Sequence, residues 1–177
     1  KILNFFCFMV TSFCTLCLFS LLNPFITVWI GTKYTFNIGI VSIIVLNYYL
    51  SGMRQMTLKF RDALGIFWYD RYKAVAEAAI NLVCSFALTK IYGIIGIFVG
   101  TTLCNTCVNL WVEPYILYKY GFQKSSKEYY MDYALYTLFT VSVAAILYLM
   151  NQMLVGTGMI LFCIKTCLTV LIYIVMF

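Results

Sequence analysis

The chain has 177 residues, 64% of them hydrophobic and 10% charged, with a mean hydropathy of +0.94. Soluble domains carry about 25% charged residues, so this composition excludes a soluble enzyme, a disordered tail and a secreted disulfide scaffold. The net charge is +6 and histidine is absent, which removes any imidazole base or ligand from the chemistry.

Six apolar runs follow one another. They cover about Ile2 to Leu22, Asn37 to Gly52, Ala74 to Lys90, Ile94 to Trp111, Tyr133 to Met150 and Val155 to Phe177. Asn23-Pro24 closes the first run and Pro114 the fourth. A lone segment in lipid must satisfy its own backbone hydrogen bonds, so all six are expected to be helices. The expected fold is an all-α membrane protein with six transmembrane helices.

The charges sit between these runs. Arg54, Lys59, Arg61, Arg71 and Lys73 are placed in the second loop, and Lys119, Lys124 and Lys127 in the fourth. With Lys1 they put nine basic residues on one side, against Lys33 and Lys90 on the other. The positive-inside bias then places the basic side, and both ends of the chain, in the cytoplasm. Trp29, Trp68, Trp111, Tyr129, Tyr130, Tyr133 and Tyr136 lie near run ends, where an aromatic belt is expected. Residues Arg61 to Tyr72 mix charge with aromatic rings and read equally as an interfacial helix or a plain loop. Asp62 and Asp70 balance charge in that basic segment. The chain opens at Lys1 without an ordered signal peptide, and reads as a fragment that begins inside a longer protein.

Eight cysteines lie mostly inside apolar runs. Cys14-x-x-Cys17 and Cys104-x-x-Cys107 have metal-like spacing, but a zinc site needs four ligands and a polar surround. They read as small packing residues, so no metal and no cofactor is expected. There is no Gly-rich phosphate loop, no Ser/His/Asp set and no nucleic-acid module, so neither an enzyme nor a nucleic-acid binder is expected.

The third and fourth runs carry the most information. Lys73, Glu77, Asn81, Ser85 and Thr89 recur every four residues, as do Thr101, Asn105, Asn109 and Glu113. Residues four apart share a helix face, so each helix has one polar stripe. Lipid does not accept a stripe of carboxylates and amides cheaply. The stripes should face each other, another helix or water, as a hydrated transport wall or as interhelical hydrogen bonds. A local pair of Lys73 with Glu77 competes with a transport role for Glu77. Gly93 is the expected C-cap of the third helix, and Gly96-x-x-x-Gly100 permits close packing of a tight hairpin. Lys165 falls near the middle of the last run, and is expected to meet a cavity, an anionic ligand or a carboxylate, or to stay buried as a neutral amine.

The stretch from Arg71 to Gly121 resembles the late helix hairpin of bacterial polysaccharide transporters, the O-antigen and capsule oligosaccharide flippases of the multidrug/oligosaccharidyl-lipid/polysaccharide exporter superfamily. Its residues Asn81-Leu82, the Lys90-Ile91-Tyr92-Gly93 turn, Gly96, Gly100-Thr101, Pro114 and Tyr118-Lys119 carry the likeness. Asn23-Pro24-Phe25-Ile26 and Trp29-Ile30-Gly31 resemble the end of an earlier family helix. The resemblance implies helices nine to fourteen of a fourteen-helix exporter. Residues 1–121 would be four helices of the C-terminal lobe and residues 122–177 two additional helices, with the N-terminal lobe missing. It further implies a bacterial cytoplasmic membrane and a substrate of the undecaprenyl-diphosphate-linked oligosaccharide type, moved by alternating access for polysaccharide biosynthesis. Partners would be that lipid-linked sugar, membrane lipids, the missing lobe, and a coupling proton or sodium ion. Candidate path residues are Glu77, Asn81, Asn105, Asn109, Lys165 and Arg54, with Gly93, Gly96 and Gly100 for packing. A multidrug exporter of the same superfamily and a non-transporting membrane scaffold are the competing readings.

Overall fold

A computed structural model describes residues 2–154, 156 and 158–176, without the side chain of Asp70. Lys1, Val155 and Phe177, which enter the sequence reading, lie outside the described residues. The described residues form six long helices and no strand. They are α1 (Ile2–Trp29), α2 (Ile38–Ala63), α3 (Lys73–Tyr92), α4 (Ile94–Phe122), α5 (Lys127–Met153) and α6 (Met159–Met176).

Five of the six, all but α2, are long and apolar enough to cross a membrane. Of the six expected transmembrane helices, α2 alone falls short of that standard. The second apolar run is too short by itself, and α2 reaches 26 residues only by continuing through Arg54, Lys59 and Arg61. It continues because its buried seam does. Val41, Val45, Tyr49, Met53 and Thr57 are all buried, one helical turn apart, while the charges occupy other faces. Arg54, Lys59 and Arg61 are therefore helical, not loop, residues. The 61–72 segment is neither of its two expected forms throughout. Helix α2 runs to Ala63, Gly65 turns the chain at φ +66°, and a short 3-10 turn spans Trp68–Asp70. The Arg71 guanidinium lies 3.9 Å from the Trp68 ring centre.

Neither proline ends its helix. Pro24 lies inside α1, which runs five residues further to Trp29. Pro114 lies inside α4, whose backbone widens to π-helix at Asn105–Asn109 and Leu117–Phe122. A proline cannot donate to the carbonyl four residues earlier; here the Tyr130 hydroxyl approaches the Leu110 and Trp111 carbonyls at 3.4 and 3.2 Å. Neighbouring groups of this kind make prolines tolerable in apolar helices.

Helix α1 is central. Its Leu16 is fully buried with Val143 and Leu147 of α5 and Tyr173 of α6. Phe8 stacks on Tyr136 at 4.1 Å and packs with Tyr49 and Met53 of α2. Polar pins lock the same helix: the Tyr173 hydroxyl donates to the Met9 carbonyl at 2.8 Å, and Ser20 Oγ accepts from Asn151 Nδ2 at 2.7 Å and Thr169 Oγ1 at 3.1 Å. Asn23 holds the turn into α2 by bonding both the carbonyl and the N–H of Phe36, at 2.8 and 3.0 Å.

Candidate functional site

Helices α3 and α4 form a close hairpin. Gly93 caps α3 at φ +63°, a conformation open to glycine, and its N–H donates to Thr89. A Cβ on Gly96 would collide with the Leu88 carbonyl, and one on Gly100 would come within 2.6 Å of Ser85 Oγ and 2.8 Å of Ser85 N. The two glycines thus set how near α4 lies to α3, and that spacing brings the two polar stripes together.

The stripes converge on a set of charges to which α2 adds Arg54. Arg54 donates to both carboxylate oxygens of Glu113, Nε to Oε2 at 3.2 Å and Nη2 to Oε1 at 2.5 Å. Its Nη1 donates to Glu77 Oε1 at 3.3 Å and Asn105 Oδ1 at 3.2 Å. Lys73 Nζ donates to Glu77 Oε2 at 3.2 Å and also to Glu113 Oε1. Asn109 Nδ2 joins Glu77 Oε1 at 2.7 Å and Asn105 Oδ1 at 2.9 Å. Two cations and two anions from three helices therefore make one charge-balanced cluster. Glu113 is its most enclosed member, with a side chain 1% exposed, against 7% for Lys73, 21% for Arg54 and 27% for Glu77.

The depth of the cluster follows from helix geometry. Arg54 and Glu113 each stand nine residues before the ends of α2 and α4, or about 14 Å at 1.5 Å per residue. The Arg54–Glu113 pair is fork-on-fork, the strongest form of this interaction. The π segment at Asn105–Asn109 helps to aim it: the Leu110 N–H reaches back five residues to Asn105. That wide turn leaves Asn105 and Asn109 both buried on the side that holds Glu113.

The expected site residues separate into groups. Glu77, Asn105, Asn109 and Arg54 meet in the cluster. Asn81 stays one turn above it, where its Oδ1 accepts from Ser85 Oγ at 2.9 Å. Lys165 stands apart from the cluster, as the seventh of the eighteen residues of α6. It lies about 9 Å along the helix, beside Asn23, Pro24 and Thr27 on a cavity of about 220 Å³. Two members were undervalued in the sequence. Glu113 appeared only as the last residue of a stripe, and Lys73 only as a local partner of Glu77. The four-residue spacing already placed Glu113 in line with Asn105 and Asn109; what concealed its role was the neighbouring Pro114, which seemed to end the helix.

Comparison of the chain with protein-family models, with curated proteins and with solved structures found no match.

Proposed function

We propose that the chain is part of a membrane transporter that moves an undecaprenyl-diphosphate-linked oligosaccharide across the bacterial cytoplasmic membrane by alternating access. The observation that carries the reading is the cluster of Arg54, Lys73, Glu77 and Glu113 held among apolar helices. Ionisable groups are costly inside a membrane and mark transport paths or moving parts. With its two positive and two negative charges paired, the cluster offers little to an anionic diphosphate. Its role is that of a latch joining α2 to the α3–α4 hairpin, which holds one state of the cycle. A ligand drives such a cycle only through unequal affinity for the two states. Sugar hydroxyls would be met instead by half-buried amides such as Asn81, whose nitrogen donates to no group among the described residues. Both chain ends face the cytoplasm in this reading. The sixth span is then α2, completed by the pairing of its charges, and the remaining lobe comes from a partner segment.

The test uses the complete transporter that contains this chain, in proteoliposomes loaded with fluorescent undecaprenyl-diphosphate-linked oligosaccharide. An added glycosidase should gain access to the inner-leaflet pool with time, and faster than in protein-free liposomes. Equal rates would overturn the reading. Movement of cationic dyes instead would establish the multidrug alternative, and movement of neither would favour a scaffold. If Glu77 carries the coupling proton, Glu77→Gln flattens the pH profile of transport; an unchanged profile removes it from that role.

A further inference from the structure

The cluster leaves two buried polar atoms unanswered. Asn109 is 2% exposed; its nitrogen is used twice, yet its Oδ1 is buried and accepts no hydrogen bond among the described residues. The Tyr133 hydroxyl on α5 is also buried and has no hydrogen-bond partner among the described residues. Buried polar groups without a partner are rare in folded proteins. Both residues line the same small cavity, of about 10 Å³, together with Arg54, Thr57 and Glu113.

We propose that this cavity is a binding site for one structural water, which accepts from Tyr133 and donates to Asn109 Oδ1. The volume lies at the lower bound for one water, and the walls supply the two to four polar partners that a buried water requires. Other occupants fit less well. A metal cation would sit against the Arg54 guanidinium, an anion against the Glu113 carboxylate, and an apolar guest against both. The orientation of Asn109 is fixed by its neighbours. Exchanging its oxygen and nitrogen would set its oxygen against Glu77 Oε1 and Asn105 Oδ1, acceptor facing acceptor. The free oxygen is therefore a property of the site and not of the assignment. The glutamate in the wall provides a further acceptor for the second water hydrogen.

The consequence is a connection between helices. Direct bonds of the cluster join α2, α3 and α4. Helix α5 already bonds α4 through Tyr130 and α2 through Tyr129; the water adds Tyr133 and so ties α5 to the charged cluster itself. This site stands on the geometry alone and holds whether or not the chain belongs to a transporter.

X-ray radiolytic labelling of the full chain in lipid nanodiscs, in ¹⁸O-water, tests the proposal. A water beside a buried tyrosine is converted in place to hydroxyl radical and marks that ring. Tyr49 and Tyr173, both buried with their hydroxyls bonded to protein groups, serve as internal references. Tyr133, whose ring is half-buried while its hydroxyl is covered, should take up label several-fold faster than either, and Asn109→Leu, which removes the water's acceptor, should lower it several-fold. Equal labelling of the three tyrosines in the native chain would overturn the proposal. Should Asn109→Leu fail to fold, an electron cryomicroscopy map of the native chain decides. A peak between Tyr133 and Asn109 supports the site, and its absence where other ordered waters are visible refutes it.

Discussion

Glu113→Gln tests the energetics of the cluster most directly, because it keeps shape and one acceptor while removing a single charge. In the native chain Glu113 accepts two bonds from Arg54 and one from Lys73, with its side chain 1% exposed. After the change, Glu77 alone must answer two cations. Removing one partner of a buried pair costs about 3–5 kcal/mol. The lower end applies here, because Arg54 is 21% exposed and Gln keeps an acceptor. A loss of about 3 kcal/mol is expected, roughly 150-fold in the folding equilibrium. The companion variant Arg54→Met/Glu113→Leu removes the fork pair as a unit and leaves Lys73 with Glu77. Replacing a buried pair by apolar groups is often neutral or better, so the double variant should recover most of the loss. Steric trapping of the chain in bicelles measures both. A Glu113→Gln cost under about 1 kcal/mol would refute the reasoning, since that is the level of an exposed pair. So would a double variant whose cost equals the sum of the Arg54→Met and Glu113→Leu single variants, measured in the same way, because coupled neighbours should not add.

Three further outcomes follow from the packing. Gly100→Ala should destabilise the α3–α4 hairpin by about 1–3 kcal/mol, as overpacking does, whereas Gly39→Ala, which meets only the Asn37 side chain at 3.9 Å, should stay near neutral; the same unfolding assay separates them. Ser20→Ala should cost about 0.6–1.7 kcal/mol, between the average and the largest interhelical hydrogen bond in membranes, because it removes the acceptor of Asn151 Nδ2, while the Thr169 hydroxyl keeps its bond to the Lys165 carbonyl. Tyr130→Phe should cost about 1 kcal/mol, and less in a Pro114→Ala background, where a restored N–H reaches Leu110; equal costs in both backgrounds would break the link between Tyr130 and the proline.

Much of the fold can be read in the sequence, for physical reasons that also show where reading fails. Helix α3 and the first half of α4 are legible because hydropathy, the Gly93 cap and the four-residue polar spacing all agree. The far half of α2 is hidden because an apolar run appears to stop at the first arginine. A helix stops only when its hydrogen bonds or its buried face stop, and here Met53 and Thr57 carry the face onward past Arg54. Pro24 and Pro114 mislead in the same way: each removes one donor, which a packed helix tolerates. In the candidate site, the partnership of Glu77 with Asn109 lies within two helices whose stripes are visible. The partnership of Arg54 with Glu113 spans 59 residues and rests on the unforeseen extensions of both α2 and α4.

The widened turn at Asn105–Asn109 gives α4 a tolerance of length. A π turn is an α-helix that has absorbed one extra residue. Deleting the exposed Cys107 would return the segment to ordinary α-helix, with Asn105 and Asn109 still on one face and Glu113 still aimed at Arg54. The same deletion between residues 94 and 104 has no slack to absorb it, and would rotate the following side chains by about 100° relative to α3. Single-residue deletions scanned along α4 should therefore be tolerated at its two widened segments, at the level of the asparagines and at Leu117–Phe122, and not between them or before them.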